Sequence, residues 1–148
     1  MIIYEDVDFF KVIHEMEALF PEHYEELCVV KEFQYEPDYD AYRRMYEAGM
    51  LRCVTCRNDA ELIGYMVFFI APHMHYKSCK TAHEDVYFVK KEYRKGRIGI
   101  RLFKYAEEVL RRIGVQRIVM HTKLHTDNTR LFEYLGYKLT DKIFTKVL

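Results

Sequence analysis

Apolar residues recur every three to four positions in the first third of the chain, a spacing that lines one face of a helix. The first such stretch begins at Phe9 and is closed by Pro21, and a second runs from Glu22 to about Lys31. A third begins at Asp38, a residue that caps helix N-termini, and stops at Gly49. The pattern predicts three helices before residue 50.

The next segments have the composition of strands. Leu51–Arg57 and Glu61–Ala71 are rich in β-branched and aromatic residues, and the three residues 58–60 between them, Asn-Asp-Ala, are a turn signal. They predict an antiparallel hairpin. Asp85–Val89 is the next predicted strand.

From Ile98 the pattern becomes helical again, and Gly114 ends that helix. A short strand (115–120), a short helix (128–135) stopped by Gly136, and one or two closing strands (137–148) follow. A strand, a helix and a strand with brief connections predict a βαβ unit with parallel pairing next to the antiparallel hairpin. The predicted fold is mixed α/β, with residues 1–148 in a single domain.

Composition and the N-terminal sequence narrow the class of protein. Half of the 148 residues are hydrophobic and 31% are charged, as in an ordinary globular protein. The longest apolar run, Tyr65–Ala71, is far shorter than a membrane span. Glu5, Asp6 and Asp8 stand where a secretory signal would carry positive charge, so we expect a cytoplasmic protein without a membrane partner.

Cys53 and Cys56 have the spacing of a metal-binding pair. They stand in a predicted strand, where residues three apart point to opposite faces, and no second pair follows. Cytoplasmic thiols also stay reduced. The sequence therefore predicts small buried side chains here, with no metal site and no disulfide.

Charge is balanced overall but not along the chain. Residues 1–86 hold 8 basic and 17 acidic side chains and residues 87–148 hold 15 and 6, so the two parts carry net charges of −9 and +9. A basic part attracts phosphates and an acidic part attracts cations, which suits an anionic cofactor and a cationic acceptor. Simple attraction between the two parts explains the same pattern.

The turn before the helix at Ile98 carries the most specific chemistry. Gly96 and Gly99 occupy it, and the side chains of Arg94, Lys95 and Arg97 surround them. A helix N-terminus presents unsatisfied N–H groups, and glycine lets the backbone approach a phosphate closely, so the turn predicts a pyrophosphate site. It matches neither the Walker nor the Rossmann pattern. A solvated basic turn is the alternative.

Two segments resemble the GNAT family of acyl-CoA N-acyltransferases. The family's phosphate turn reads (Q/R)xxGxG/A after a strand, and Arg94–Gly99 is similar to it, with Arg97 where the first glycine is expected. Leu131–Tyr137, LFEYLGY, looks like the family's LYEKLGF signature. The likeness covers residues 50–148 well and the helical first third in outline.

The resemblance implies a mostly antiparallel sheet of six to seven strands flanked by helices, with a splayed central parallel pair. It also implies transfer of an acetyl or other acyl group from acyl-CoA, as co-substrate, to a primary amine by direct attack, without a metal. The strand before the turn offers backbone groups to the pantetheine arm, and the turn holds the pyrophosphate. The implied cofactor-binding residues are Phe88, Val89, Arg94, Lys95, Gly96, Arg97, Ile98, Gly99, His125 and Phe132.

Two further positions depart from the family pattern. His125 occupies the place of an asparagine that is often near the cofactor, and Phe132 replaces a tyrosine that commonly protonates the CoA thiolate. The candidate acid is therefore Tyr134, with Tyr137 or water as alternatives, or no acid at all, because a thiol of pKa about 8.5 is a tolerable leaving group.

Three polar residues at the start of the predicted strand are candidates for removing the amine proton. Strand alternation puts His83, Asp85 and Tyr87 on one face and Glu84 on the other. In related acetyltransferases the base is often a Glu or His at matching places, so His83 is the expected base and Asp85 its orienter or the carboxylate that attracts the acceptor. Glu84 is kept as an alternative, because a β-bulge would swap the faces.

The acidity of the first part favours a cationic acceptor, such as a polyamine, an aminoglycoside-like compound, or a lysine or N-terminal amine of a protein. We expect the first 50 residues and the His73–Lys80 segment to shape its pocket, in a monomer or homodimer. Two alternatives remain. One is a CoA-binding or interaction protein of this fold that has lost turnover. The other is a GNAT-like enzyme that acts on nucleic acid, although the acidic part would repel a phosphate backbone.

Overall fold

A computed structural model of the chain describes residues 1–28 and 31–148. In these residues five strands form one sheet, which follows chain order from β1 to β5. The first four strands are antiparallel, and β5 is parallel to β4. The strands are β1 (Ile2–Val7), β2 (Leu51–Asn58), β3 (Glu61–His73), β4 (Tyr76–Val89) and β5 (Arg117–Val119). The helices are α1 (Phe9–Glu17), α2 (Phe20–Leu27), α3 (Tyr39–Glu47), α4 (Ile98–Arg112) and α5 (Thr129–Tyr134), and a short 3₁₀ turn, Lys91–Tyr93, precedes α4.

Helices cover both faces of the sheet. On one face, buried side chains of α4 and α5 such as Leu102, Leu110 and Phe132 pack against β2, β3 and β4. On the other face, α1 packs its buried side chains, among them Phe9 and Met16, against the same three strands. The α/β class with a mostly antiparallel sheet flanked by helices is thus confirmed.

Cys53 and Cys56 are both buried, and they point into the two different cores. This is what alternation along a strand requires of residues three apart. The interpretation of the pair as two separate buried thiols is confirmed, and both are free cysteines.

The helical first third agrees with the sequence pattern except at its boundaries. Pro21 does not close α1, which ends at Glu17; it lies in the first turn of α2, where its missing N–H costs no hydrogen bond. The expected continuation of the second helix through Val29 and Val30 lies outside the described residues. Asp38 caps α3 as expected and accepts a hydrogen bond from the Ala41 N–H at 2.8 Å.

Three features of the sheet differ from the prediction. β1 was not anticipated, because its short apolar stretch ends in the acidic Glu5 and Asp6. β4 begins nine residues before the expected Asp85, because its first half is polar. The prediction of closing strands in 137–148 is wrong, and so is the predicted count of six to seven strands. Residues 137–148 form no strand, and apolar side chains there, such as that of Phe144, are exposed. A strand needs partners for its backbone groups, and β5 offers an edge of only three residues.

A buried histidine makes the stability of the fold depend on pH. His23 of α2 is 5% exposed, and its Nδ1 lies 2.8 Å from the Tyr65 hydroxyl. Burial lowers its pKa to about 4. The unfolded chain, with an ordinary histidine, therefore binds a proton between pH 6.5 and 4 that the folded protein does not, so stability is lost as pH falls through this window.

We expect the loss to be about 3 kcal/mol, at 1.36 kcal/mol for each pKa unit. Urea unfolding at pH 6.5 and at pH 4 measures it, and His23→Phe removes the titrating group. The fall in unfolding free energy between the two pH values should be smaller in the variant by that amount. Equal falls in both proteins would contradict the assignment to His23.

Candidate active site

The parallel strands β4 and β5 separate after a short paired stretch. Pairing is limited to Thr81–His83 with Arg117–Val119, whereas β4 continues to Val89. A cleft of about 200 Å³ lies where they part. It is lined by Leu27, Glu84, Asp85, Tyr87, His121 and Lys123.

A β-bulge in β4 decides which side chains face this cleft. Val86 pairs with Val67 and Glu84 pairs with Phe68, so Asp85 is an extra residue without an opposite partner on β3. Such a residue reverses the alternation beyond it. The expectation that His83, Asp85 and Tyr87 share a face is therefore wrong: Tyr87 packs in the core below α4 and α5, and Val86 on the other side of the sheet.

Glu84 and His121 form a hydrogen-bonded pair in the cleft. Oε2 of Glu84 accepts from the backbone N–H of His121 at 3.0 Å and lies 3.1 Å from its Nδ1. The Glu84 side chain is 7% exposed and that of His121 is 42% exposed. Burial raises the pKa of Glu84. The imidazole is thus held through Nδ1 while its other nitrogen stays available for a reactant.

A second and larger cavity, of about 580 Å³, opens on the helical side of the cleft. It is walled by α1, α2, α3 and, between the last two helices, by residues 28 and 33–38, and we call it the aromatic cavity because seven of its lining residues are aromatic. These are Phe9, Phe20, Tyr24, Phe33, Tyr35, Tyr39 and Tyr42. It shares Leu27, Asp85 and Lys123 with the cleft, so the two spaces meet at the bulge.

Asp85 is the acidic residue at this junction, which Lys123 also lines. Its carboxylate accepts a hydrogen bond from the Tyr42 hydroxyl of α3, and the Tyr42 ring stacks on Phe9 with centroids 5.0 Å apart. Burial raises the pKa of Asp85, and burial next to that carboxylate raises the pKa of Tyr42 as well. The bulge thus directs one carboxylate into an otherwise mostly apolar space.

The glycine turn follows β4 directly and opens α4. Gly96 has a φ of +117°, which side chains rarely allow, and a Cβ at Gly99 would meet nothing within 4 Å. Arg97 caps α4 without a side-chain hydrogen bond, so its side chain does not satisfy the first amides of the helix. Lys95 and Arg97 are exposed beside it.

Arg94 fixes the turn to the rest of the molecule. Its guanidinium pairs with both carboxylate oxygens of Glu26 on α2, at 2.9 and 2.8 Å, and its Nε donates to the Val89 carbonyl at 2.7 Å. It also lies over the Phe88 ring. These contacts make Arg94 a positioning residue for the turn.

Comparison with known proteins identifies this arrangement. A model of the acetyltransferase (GNAT) family matches residues 13–137. The chain belongs to the GNAT family. Members of this family are N-acetyltransferases that use acetyl-CoA as co-substrate. No curated protein matches the sequence.

Solved GNAT structures share the fold at low sequence identity. A ribosomal-protein-alanine N-acetyltransferase from Brucella melitensis biovar Abortus 2308 is 14% identical, with a TM-score of 0.74 over 99% of both chains. An aminoglycoside acetyltransferase from an uncultured soil metagenomic sample is 15% identical, with a TM-score of 0.73 over 99% of this chain and 96% of that one. A predicted acetyltransferase with acetyl-CoA from Clostridium acetobutylicum is 10% identical, with a TM-score of 0.72 over 99% and 96%.

In this GNAT chain Phe132 stands where the LYEKLGF signature has a tyrosine. A residue that contacts Phe132 carries a hydroxyl group instead. Phe132 is buried, and its ring contacts those of Tyr87 and Phe103. The Tyr87 hydroxyl accepts a hydrogen bond from Nδ2 of Asn128 at 3.0 Å, and Tyr87 lines the cleft. Burial raises the pKa of Tyr87. A phenol thus faces the cleft from β4 rather than from α5.

Four other residues that the sequence predicts to be catalytic or cofactor-binding line neither cavity. His83 is exposed and lines neither cavity, and its pKa is lowered by partial burial and by Arg117. Tyr134 is 69% exposed and also lines neither. His125 donates through Nε2 to the Glu26 carbonyl and so ties its loop to α2. The side chain of Phe88 is buried.

The segments expected to shape the acceptor pocket agree only in part with the lining of the aromatic cavity. The lining of the aromatic cavity comes mainly from residues 9–42, within the predicted first 50. The His73–Lys80 segment contributes nothing to either cavity, because it forms the far end of the β3–β4 hairpin. Its role in shaping the pocket was wrongly predicted.

The sequence pattern does not indicate His121 as a cleft residue and places Tyr87 on the wrong face. His121 is 37 residues from Glu84, so no local spacing indicates their contact. The bulge that turns Tyr87 toward the cleft is not visible in the alternation of a single strand. Among the described residues, no group of three or more His, Cys, Asp or Glu could hold a metal ion, and no helix is long and apolar enough to cross a membrane.

Proposed function

We propose that this protein transfers the acetyl group of acetyl-CoA to a primary amine in the cleft between β4 and β5. The observation that carries the proposal is the Glu84–His121 pair, which lies in a cleft that adjoins a cavity for the acceptor. The same strand leads directly to the glycine turn. The proposal is thus supported by the closeness of these three features along and beside one strand.

The glycine turn suits the pyrophosphate of CoA. The space above Gly99 is open, the first amides of α4 are uncapped, and Lys95 and Arg97 add positive charge. The backbone of β4 from Glu84 to Val89, which β5 leaves unpaired in the described residues, offers hydrogen bonds to the pantetheine arm. When bound, acetyl-CoA supplies an activated acyl group as a thioester.

His121 is the proposed base. With Glu84 ionised, Nδ1–H of His121 donates to Oε2, so the Nε2 lone pair is free to take the proton of the amine. The neutral amine nitrogen then attacks the thioester carbon: the N–C bond forms, the C–S bond breaks, and the nitrogen loses its second proton to solvent, so the products are an amide and a thiolate. Glu84 acts as a positioning residue that fixes the tautomer of His121.

Tyr87 is the proposed acid for the thiolate. A tyrosine hydroxyl is protonated at neutral pH, and in the hydrogen bond with Asn128 the Tyr87 oxygen is the acceptor, so this bond does not use its proton. The proton that His121 has taken then returns to Tyr87 by way of solvent, which completes the cycle.

Tyr87→Phe should lower kcat by about 10²-fold, the lower end of the range for proton transfer by a positioned side chain, with the Kd for CoA unchanged. Tyr134→Phe, which removes a hydroxyl group from the exposed α5 residue, is the matched control and should leave kcat unchanged. Steady-state assays and calorimetry measure the two quantities. A full rate in Tyr87→Phe, or a loss in Tyr134→Phe, would contradict the assignment of the acid.

The function itself is tested by incubating the protein with acetyl-CoA and a panel of amines while free thiol is measured. We expect acceptor-dependent release of thiol and an acetylated amine in the mass spectrum. Tight CoA binding without release from any amine would favour the non-catalytic alternative. DNA or RNA binding that weakens steeply with salt would favour the nucleic-acid alternative.

A further inference from the structure

We infer that the acceptor is a primary monoamine with a large apolar body, aryl or alkyl, which fills the aromatic cavity with its ammonium group at Asp85. This inference rests on the proposed acetyl transfer and names the substrate class for it. It replaces the polyamine or aminoglycoside that the acidity of the first 86 residues favoured.

The first argument is the chemistry of the cavity walls. Of the lining residues, seven are aromatic and others are aliphatic, such as Ile13, Met16 and Leu27. A volume of about 580 Å³ with such walls is typical of sites that desolvate a small organic molecule. A polycation would lose its hydration there without finding enough polar partners.

The second argument is that acidic residues outside the cavity form ion pairs with basic residues. Glu26 is held by Arg94 and Lys91, Glu15 by Arg57, and Glu61 by Lys90. The negative charges of these three carboxylates are therefore neutralised outside the cavity. Attraction between the two parts of the chain accounts for Glu26 and Glu61, whose partners lie beyond residue 86.

The third argument is the position of the remaining charge. Three carboxylates line the cavity: Glu36 is exposed, Asp38 caps α3, and Asp85 is the one at the junction with the cleft. Lys123 lines the same junction and disfavours a second cationic group there. One ammonium group fits, held by Asp85 and by the ring faces of the aromatic walls.

The position of Asp85 also explains how the acceptor is oriented. The cavity ends where the cleft begins, so an amine at Asp85 has its apolar body in the aromatic cavity and its nitrogen next to the Glu84–His121 pair. Apolar contacts with the body and one charge contact with the nitrogen would together bring that nitrogen to the reaction site.

The test compares kcat/KM for phenethylamine, tryptamine and octylamine with values for spermidine, kanamycin and a lysine-containing peptide. We expect the apolar monoamines to exceed the polar acceptors by at least about 100-fold, or roughly 2.7 kcal/mol. Turnover of only the polar acceptors would overturn this inference and leave acetyl transfer standing. Thiol release with none of the six would count against the proposed function.

Variants of the cavity lining test whether the aromatic cavity binds the apolar body of the amine. Phe33 and Tyr35 line the cavity but are 65% and 48% exposed, so Phe33→Ser and Tyr35→Ser should fold normally. Each should raise the KM of an apolar amine at least about threefold without changing the KM of acetyl-CoA. Tyr46→Ser is the matched control: it removes an aromatic ring of α3, 39% exposed, that lines neither cavity, and should change no KM.

Asp85→Asn tests the charge contact. It should raise the KM of every amine at least about tenfold and leave the Kd for CoA unchanged. An unchanged KM in Asp85→Asn, or equal effects of Phe33→Ser and Tyr46→Ser, would overturn the placement of the acceptor in the aromatic cavity.

Discussion

Replacing His121 with Gln is expected to lower kcat by about 10²- to 10⁴-fold, the range for removal of a positioned general base. Gln keeps a polar side chain of similar length at the cleft but cannot accept a proton from an ammonium group. The backbone N–H of His121, which holds Glu84 at 3.0 Å, remains in the variant. The Kd for CoA should therefore stay unchanged in calorimetry, while the rate of thiol release falls.

His83→Gln is the control for this experiment. It makes the same substitution on β4 at an exposed histidine that lines neither cavity, and we expect less than about a twofold change in kcat. The sequence predicts His83 as the base, so the two variants compare two assignments directly. A large loss in His83→Gln with a normal rate in His121→Gln would return the base to His83.

Glu84→Gln separates positioning from proton transfer. The variant should lower kcat with both KM values unchanged, because the amide no longer enforces one tautomer of His121. Combined with His121→Gln it should add little, since residues that act as a unit are not additive. Additive losses would mean that Glu84 acts on the reactants independently of His121.

The parts of the fold that follow from local pattern could be predicted. α4 runs from Ile98 to Arg112 because its apolar residues recur at helical spacing and Gly114, with a φ of +85°, ends it. The hairpin of β2 and β3 follows from two apolar runs around one turn. β1 and the polar half of β4 could not be predicted, since their strand character comes from pairing with β2 and β3 rather than from their own composition.

The candidate site also has one part that could be predicted from the sequence and one part that could not. The glycine turn lies in one short segment, and its chemistry depends on two glycines and a helix start, which the sequence displays directly. The proposed base could not be predicted in this way, because Glu84 and His121 are 37 residues apart and come together through the parallel pairing of β4 with β5. Without the bulge the alternation of β4 would keep Tyr87 on the face opposite Glu84. One inserted residue thus changes which side chains share the cleft.

Gly99→Glu is expected to weaken CoA binding by about 100-fold or more. The carboxylate would occupy the open space above the turn and repel the pyrophosphate, and the phosphate would lose its hydrogen bonds to the amides. A hydrogen bond to a charged group contributes about 1.5–3 kcal/mol, and each 1.4 kcal/mol is tenfold in Kd, so loss of one or two such bonds accounts for the effect. Calorimetry with CoA measures it.

The fold should survive this change, which makes the result interpretable. A Cβ at Gly99 meets nothing within 4 Å, Glu is a better helix former than Gly, and a negative charge in the first turn of α4 is favourable to the helix dipole. The Tm should therefore be equal or higher. Lys104→Gln, which changes the net charge equally at an exposed position of the same helix, controls for charge and should alter the Kd less than about threefold. Normal CoA affinity in Gly99→Glu, with Tm retained, would remove the pyrophosphate from this turn.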